Sequence, residues 1–301
     1  HRDARRLRRD LTMFQDDIFY KGGEHAVLML PGLSSTPLEM RPVAKALHRE
    51  GYTVWVPHIE GYGLGGPCSD WRAWIAAARA KYRELRATHA MVSLCGLCIG
   101  ATLSLAVAEE EPDVTALSLL SVTLVYDGWT IPWYYPLIDL GFHTPLRHYY
   151  RYRERAPFGL KNEVLRARVA KSMSLHDASE IGAASLPLAH LYHARRLAAH
   201  VRARLARVTA DCLVIHAVDD DTSSPHNARI VYDGVSSKVK QKCLLGESYH
   251  ILTMDNERET VADETRRFFR DAVARRTGAA TSETRIISKA LLRAKRRQSA
   301  A

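Results

Sequence analysis

The residues best suited to chemistry in this 301-residue chain are a cysteine, an aspartate and a histidine that stand far apart in sequence. Cys98 lies in Gly96-Leu97-Cys98-Ile99-Gly100, with a glycine two residues to either side. A run that reads as a strand, Ala90–Cys95, precedes it, and a run that reads as a helix, Ile99–Glu109, follows. In a G-x-Nuc-x-G turn between strand and helix the nucleophile is lifted above the sheet, and the glycines keep the sharp turn free of clashes. The helix N-terminus then favours a thiolate, the reactive form of a thiol whose free pKa is about 8.5. Taken alone, such a turn could equally hold a structural cysteine.

The order of the remaining parts argues for catalysis. In this arrangement a nucleophile is followed by an acid and then by a base, each in a loop after a late strand. Ala217-Val218-Asp219-Asp220-Asp221 supplies three candidate acids, and Ser248-Tyr249-His250 supplies the base. Asp220 is preferred, since it falls three residues past Ala217 and five before Pro225, which suits a loop turning back over the sheet. Asp219 and Asp221 stay open. An oxyanion needs two backbone N–H donors. Ile99, directly after the nucleophile, is one candidate, and Leu33, in the turn Pro31-Gly32-Leu33-Ser34-Ser35, is the other.

These loops need a sheet to hold them. Ala26–Leu30, Thr53–Pro57, Ala90–Cys95 and Thr115–Ser121 read as buried strands, with helical spacing over Pro37–Glu50, from Ser69 or Asp70 to Ala87, and over Ile99–Glu109. Such alternation predicts an α/β domain with a mostly parallel sheet and helices on both faces. The pattern resumes with strands Cys212–Ala217 and Lys238–Leu245 and helices Ser224–Val235 and Glu257–Arg275. The expected organisation is a charged N-terminal segment over 1–21, loosely packed or a short helix, and a core from 22–121 and 211–276. A lid of helices and turns is inserted over 122–210, and a basic tail spans 277–301. Trp129, Trp133 and Tyr134 in the aromatic insertion are the candidate walls of an apolar substrate pocket.

Composition narrows the function classes. No apolar run approaches the roughly 20 residues that span a bilayer. The five cysteines lack framework spacing, so a reducing cytoplasm is expected. Cys95 and Cys98 have no second ligand pair at metal spacing, and the Gly61–Gly66 loop lacks the register of a dinucleotide site, so no cofactor is expected. Cys95 could trap Cys98 as a disulfide under oxidation. The net charge of +10 gathers in Arg2–Arg9, Arg195–Arg207 and Arg285–Arg297. Such excess suits anionic partners such as acyl-CoA, an acidic acyl-carrier protein or, through the basic tail, an anionic membrane. No nucleic-acid signature accompanies it, and nucleic acid is not expected as a partner.

The stretch VLMLPGLSSTPLEMRPVAKALHREGYTVWVPHIEGYG resembles the opening of bacterial carboxylesterases and monoacylglycerol-lipase-like α/β-hydrolases. Gly246-Glu247-Ser248-Tyr249-His250-Ile251-Leu252-Thr253-Met254-Asp255 resembles their catalytic-histidine loop. The resemblance implies an α/β-hydrolase fold and covers about Ala26–Ser121 and Cys212–Arg270. Two departures stand out: the family nucleophile is serine where this chain has Cys98, and the histidine usual before the oxyanion glycine is Pro31. A cysteine in this turn is familiar from dienelactone hydrolases and polyhydroxyalkanoate synthases. The leading expectation is an acyl ester or thioester hydrolase using Cys98, His250 and Asp220 on a hydrophobic substrate. An acyltransferase holding a thioester on Cys98 is the first alternative. A non-catalytic binding protein on the same fold is the second.

Overall fold

The computed structural model describes residues 14–131, 135, 141, 142, 144 and 150–278. Its centre is a seven-stranded sheet in the order β1-β3-β2-β4-β5-β10-β11. These strands are β1 (Ile18–Tyr20), β2 (His25–Leu30), β3 (Thr53–Val56), β4 (Met91–Leu97), β5 (Ala116–Leu120), β10 (Asp211–Ala217) and β11 (Lys240–Leu245). All neighbours run parallel except β1, which pairs antiparallel with β3. The inner strands β2, β3 and β5 are largely apolar on both faces because both faces are covered, whereas the edge strands β1 and β11 are partly exposed. Along β2, Ala26, Leu28 and Leu30 join one core, while Val27 and Met29 join the other.

The helices sort by the same two faces. On one lie α2 (Trp71–Arg86), α3 (Ile99–Glu110), α5 (Leu188–Arg202) and α6 (His226–Gly234); on the other lie α1 (Arg41–Arg49) and α7 (Arg258–Thr277). Asp70 caps α2 by accepting from Arg72 N, as its short polar side chain should. Ten of the twelve residues of α3 are buried. A helix apolar all round belongs inside the layers, and this one is pinned there directly behind Cys98.

Two expectations are corrected. The N-terminal segment, read as loose or helical, ends in the edge strand β1, and Asp17 beside it accepts from Trp55 Nε1 at 2.9 Å and from His58 N at 2.8 Å. The segment between β5 and β10, read as helices and turns, also carries two small antiparallel pairs. One joins β6 (Arg151–Arg153) to β9 (Ser185–Pro187), and the other joins β7 (Ala178–Ser179) to β8 (Gly182–Ala183). These strands flank α4 (Glu163–His176). They are too short for a period of two to stand out in the sequence.

Candidate active site

Cys98 sits between β4 and α3 at φ 59° and ψ −122°, a conformation that strains any residue with a Cβ. The neighbouring glycines make this turn feasible. A Cβ on Gly96 would collide with the backbone of Gly100, and one on Gly100 would collide with the carbonyls of Leu30 and Pro31. The start of α3 is thereby pressed against the loop after β2. The Cys98 amide donates to Leu120 O at 2.9 Å, which ties the turn to the end of β5.

His250, in the loop after β11, is buried and directs Nδ1 at Asp220, 2.9 Å from Oδ1 and 2.8 Å from Oδ2. Nε2 is buried without a hydrogen-bond partner among the described residues. Burial alone would lower the pKa of this imidazole. The Asp220 carboxylate and then the neighbouring Cys98 sulfur outweigh burial and hold it well above the usual imidazole value. Asp220 is held in turn by Thr222 N and Ser223 N, which donate to Oδ1 at 2.9 and 2.8 Å. His216 Nε2 stands 3.3 Å from Asp220 Oδ2 and 2.8 Å from Ser223 O. Burial opposes ionisation of Asp220, but His250 and these partners win and hold its pKa below the usual carboxylate value.

The other two aspartates are placed elsewhere. Asp219 is exposed and pairs with Lys161 Nζ at 3.5 Å. Asp221 is buried, and its Oδ2 accepts from Gly159 N at 3.1 Å. Cys95 is buried in β4, and all five cysteines are free thiols.

Several residues that the sequence reading did not single out complete the site. Thr123 Oγ1 lies 3.5 Å from Cys98 Sγ and 3.0 Å from Ser223 Oγ, so the nucleophile loop touches the acid loop through a second, hydroxyl route. Glu39 is buried beneath the turn after β2, where its Oε2 accepts from Gly32 N at 2.8 Å. That bond sets the turn carrying Leu33, which lines the cavity beside Cys98 together with Gly32. An acidic residue in the first turn of a helix was the only hint of Glu39, and such residues are usually solvated.

Burial pushes the Glu39 pKa from 4.5 up to about 7, against the opposing pull of the Gly32 hydrogen bond. Between pH 4.5 and 7 the folded chain holds a proton at Glu39 that the unfolded chain has lost, so stability falls as pH rises through that window. Glu39→Gln keeps the acceptor and removes the titration. Urea unfolding at pH 4.5 and pH 8 should therefore show a smaller stability loss for Glu39→Gln than for the natural sequence, by roughly 3 kcal/mol. Parallel pH profiles for the two proteins would contradict this role.

A cavity of about 810 Å³ opens above Cys98 and His250. Phe158, Met173, Ile181, Leu186, Leu188 and Leu191 give it apolar walls. Trp129 lines it but stands at its edge, 61% exposed, with Nε1 donating to Asp219 O at 3.1 Å. Trp133 and Tyr134 lie outside the described residues. Glu154 and Asp221 also reach the cavity; burial, followed by the Asp221 charge, pushes the Glu154 pKa up to about 7.

The comparisons agree with this architecture. A family profile described as Hydrolase_4, serine aminopeptidase S33, matches residues 23–257. The chain is 27% identical over 257 residues to a thermostable monoacylglycerol lipase of Bacillus sp. strain H-257, covering 84% of this chain and 94% of that lipase. Among solved structures, one reported for the metagenome-derived lipolytic enzymes LipS and LipT superposes with a TM-score of 0.72 at 23% identity, covering 85% and 98% of the two chains. The monoacylglycerol lipase of Paleococcus ferrophilus gives 0.71 at 13% identity, with the same two coverages. The fold is the α/β-hydrolase fold.

Proposed function

Because this chain belongs to the serine aminopeptidase S33 (Hydrolase_4) family, we propose that it is an ester hydrolase that carries the acyl group of a hydrophobic ester on Cys98. The observation that carries this reading is the convergence, in one cavity, of a strained elbow cysteine and a buried histidine held by Asp220. The names of the relatives, a monoacylglycerol lipase and lipolytic enzymes, point to the same ester chemistry.

In the proposed cycle His250 takes the thiol proton, and the Cys98 sulfur attacks the ester carbonyl carbon. The electron pair of the C=O bond moves to oxygen, where the N–H groups of Leu33 and Ile99 would stabilise it. Collapse re-forms the carbonyl and breaks the bond to the leaving alcohol, which takes its proton from His250. Water, deprotonated by His250, then attacks the acyl-thioester and releases the acid and the thiol. Asp220 keeps the imidazole in the tautomer that presents Nε2 to the reaction. The 122–210 segment would serve as the lid, its apolar side chains receiving the acyl chain.

One feature favours a second reading. An acyl-thioester keeps more transfer potential than the oxygen ester formed by the family's serine, so Cys98 could pass its acyl group to an acceptor other than water.

Chain-length dependence tests the substrate class. Each buried methylene contributes about 0.8 kcal/mol, so kcat/KM for p-nitrophenyl esters should rise by at least about tenfold from acetate to octanoate. A flat or falling series would rule out an acyl-binding role for these walls.

A further inference from the structure

The strand β6 and the two residues after it, Arg151-Tyr152-Arg153-Glu154-Arg155, all line the cavity. Exposure alternates along this run and sorts it by charge. Tyr152 and Glu154 are half-buried, while the three arginines are exposed. Arg151 is engaged, with Nε donating to Ser185 Oγ at 2.8 Å and Nη2 to Ser185 O at 2.9 Å. Among the described residues the guanidinium groups of Arg153 and Arg155 make no hydrogen bond and no ion pair.

The obvious internal counter-charge does not neutralise them. The carboxyl of Glu154, between the two in sequence, has Asp221 and His250 as its electrostatic neighbours. The wall is thus sorted, with a protonatable carboxyl on the inner side and two free cations at the mouth. Arg153 ends β6 and Arg155 follows two residues later, so their Cα atoms can be at most about 7 Å apart, a reach at which two planar forks can converge on one tetrahedral oxyanion group. The excess charge of +10 adds attraction for an anion at longer range.

We infer that Arg153 and Arg155 form a subsite for a phosphate group carried by the alcohol or thiol half of the acyl donor. This rests on the acyl-ester reading above, since it places the acyl chain on the apolar walls and the leaving group at the mouth. The donor would then be a phosphate-bearing acyl ester or thioester. Its phosphate could belong to a glycerol phosphate or to a coenzyme A-type thiol.

Uncleavable analogues separate this subsite from the chemistry. By calorimetry at low salt, 1-O-dodecylglycerol 3-phosphate should bind the natural protein about tenfold more tightly than neutral 1-O-dodecylglycerol. That ratio should fall towards one in Arg153→Gln/Arg155→Gln and, for the unaltered protein, in 0.5 M NaCl, on the order of a 4 Å screening length. Arg151 is left in place because it ties β6 to β9. S-dodecyl-coenzyme A distinguishes the two sources: tighter binding than the glycerol phosphate marks a thioester donor, and weaker binding marks a lipid one. Equal affinity for the charged and neutral ethers, or a preference that survives in the double variant, would overturn the subsite. If the phosphate preference appears but Cys98 is never acylated, the subsite stands and the catalytic reading fails.

Discussion

Cys98→Ala is expected to lower kcat/KM for an octanoyl ester by about four orders of magnitude, to a residual set by binding and the oxyanion amides alone. The size follows from the geometry. Removing the sulfur that neighbours the buried His250 imidazole leaves the base with no nucleophile to activate. A water in that place would have to be held by a site built for a side chain. The turn itself has no reason to unfold, because alanine carries the same Cβ through the same backbone conformation. Unfolding transitions of the two proteins should therefore lie close together, so that lost turnover is read as lost chemistry. Activity within tenfold of the natural sequence would show that the cysteine is a structural residue in a sharp turn.

Asp220→Asn carries the second large expectation, a fall of about three to four orders of magnitude in kcat. The carboxylate accepts from His250 Nδ1 and two backbone amides and also faces His216. Asparagine matches its shape but offers an N–H where the imidazole needs an acceptor, which favours the tautomer with its proton on Nε2. Asp219→Asn should change little, since its ion pair with Lys161 is exposed. The three aspartates are thus separable by experiment as they are by position.

The same pair sets a pH window for stability. Asp220 is held below its usual pKa of 3.8, so its stabilisation is present above that value and lost as pH falls through the folded pKa. His250 is held above 6.5, so its share is present below that value and lost as pH rises through its raised pKa. The pair contributes most between the two. Asp220→Asn should flatten the profile at both ends, measured by urea unfolding from pH 3 to 9.

Much of this site was legible because its signals are local. Glycines at 96 and 100 around Cys98 report backbone crowding directly, and the loop holding Asp220 follows the apolar run Cys212–Ala217, whereas the strand before His250 opens on Lys240, Gln241 and Lys242 and turns apolar only at Cys243. Choosing among three consecutive aspartates was possible only from loop length. Glu39 and Thr123 were not legible: Glu39 turns back seven residues onto the Gly32 amide of its own loop where an acid in a first helical turn is usually solvated, and Thr123 meets Cys98 and Ser223 across the fold. The edge strand β1 escaped for a different reason: three residues cannot display a period, and it forms because β3 offers an open edge. In the segment between β5 and β10 the aromatic content suggested a pocket wall. The wall that the described residues supply mixes the two kinds: Tyr126, Tyr135, Tyr150, Tyr152 and Phe158 line it beside aliphatic side chains, with Trp129 at the rim.

The most direct test of a covalent role for Cys98 is mass analysis of the protein quenched seconds after mixing with an octanoyl ester, followed by peptide mapping. An octanoyl mass on the peptide containing Cys98, lost to neutral hydroxylamine and absent in Cys98→Ala, is the predicted result. Decay of that adduct in water would mark a hydrolase, and persistence until an alcohol, amine or thiol is added would mark a transferase. Turnover with no adduct on Cys98, or an adduct that maps to another residue, would contradict the mechanism. No adduct and no turnover with any donor would leave a binding protein on a hydrolase fold as the better account.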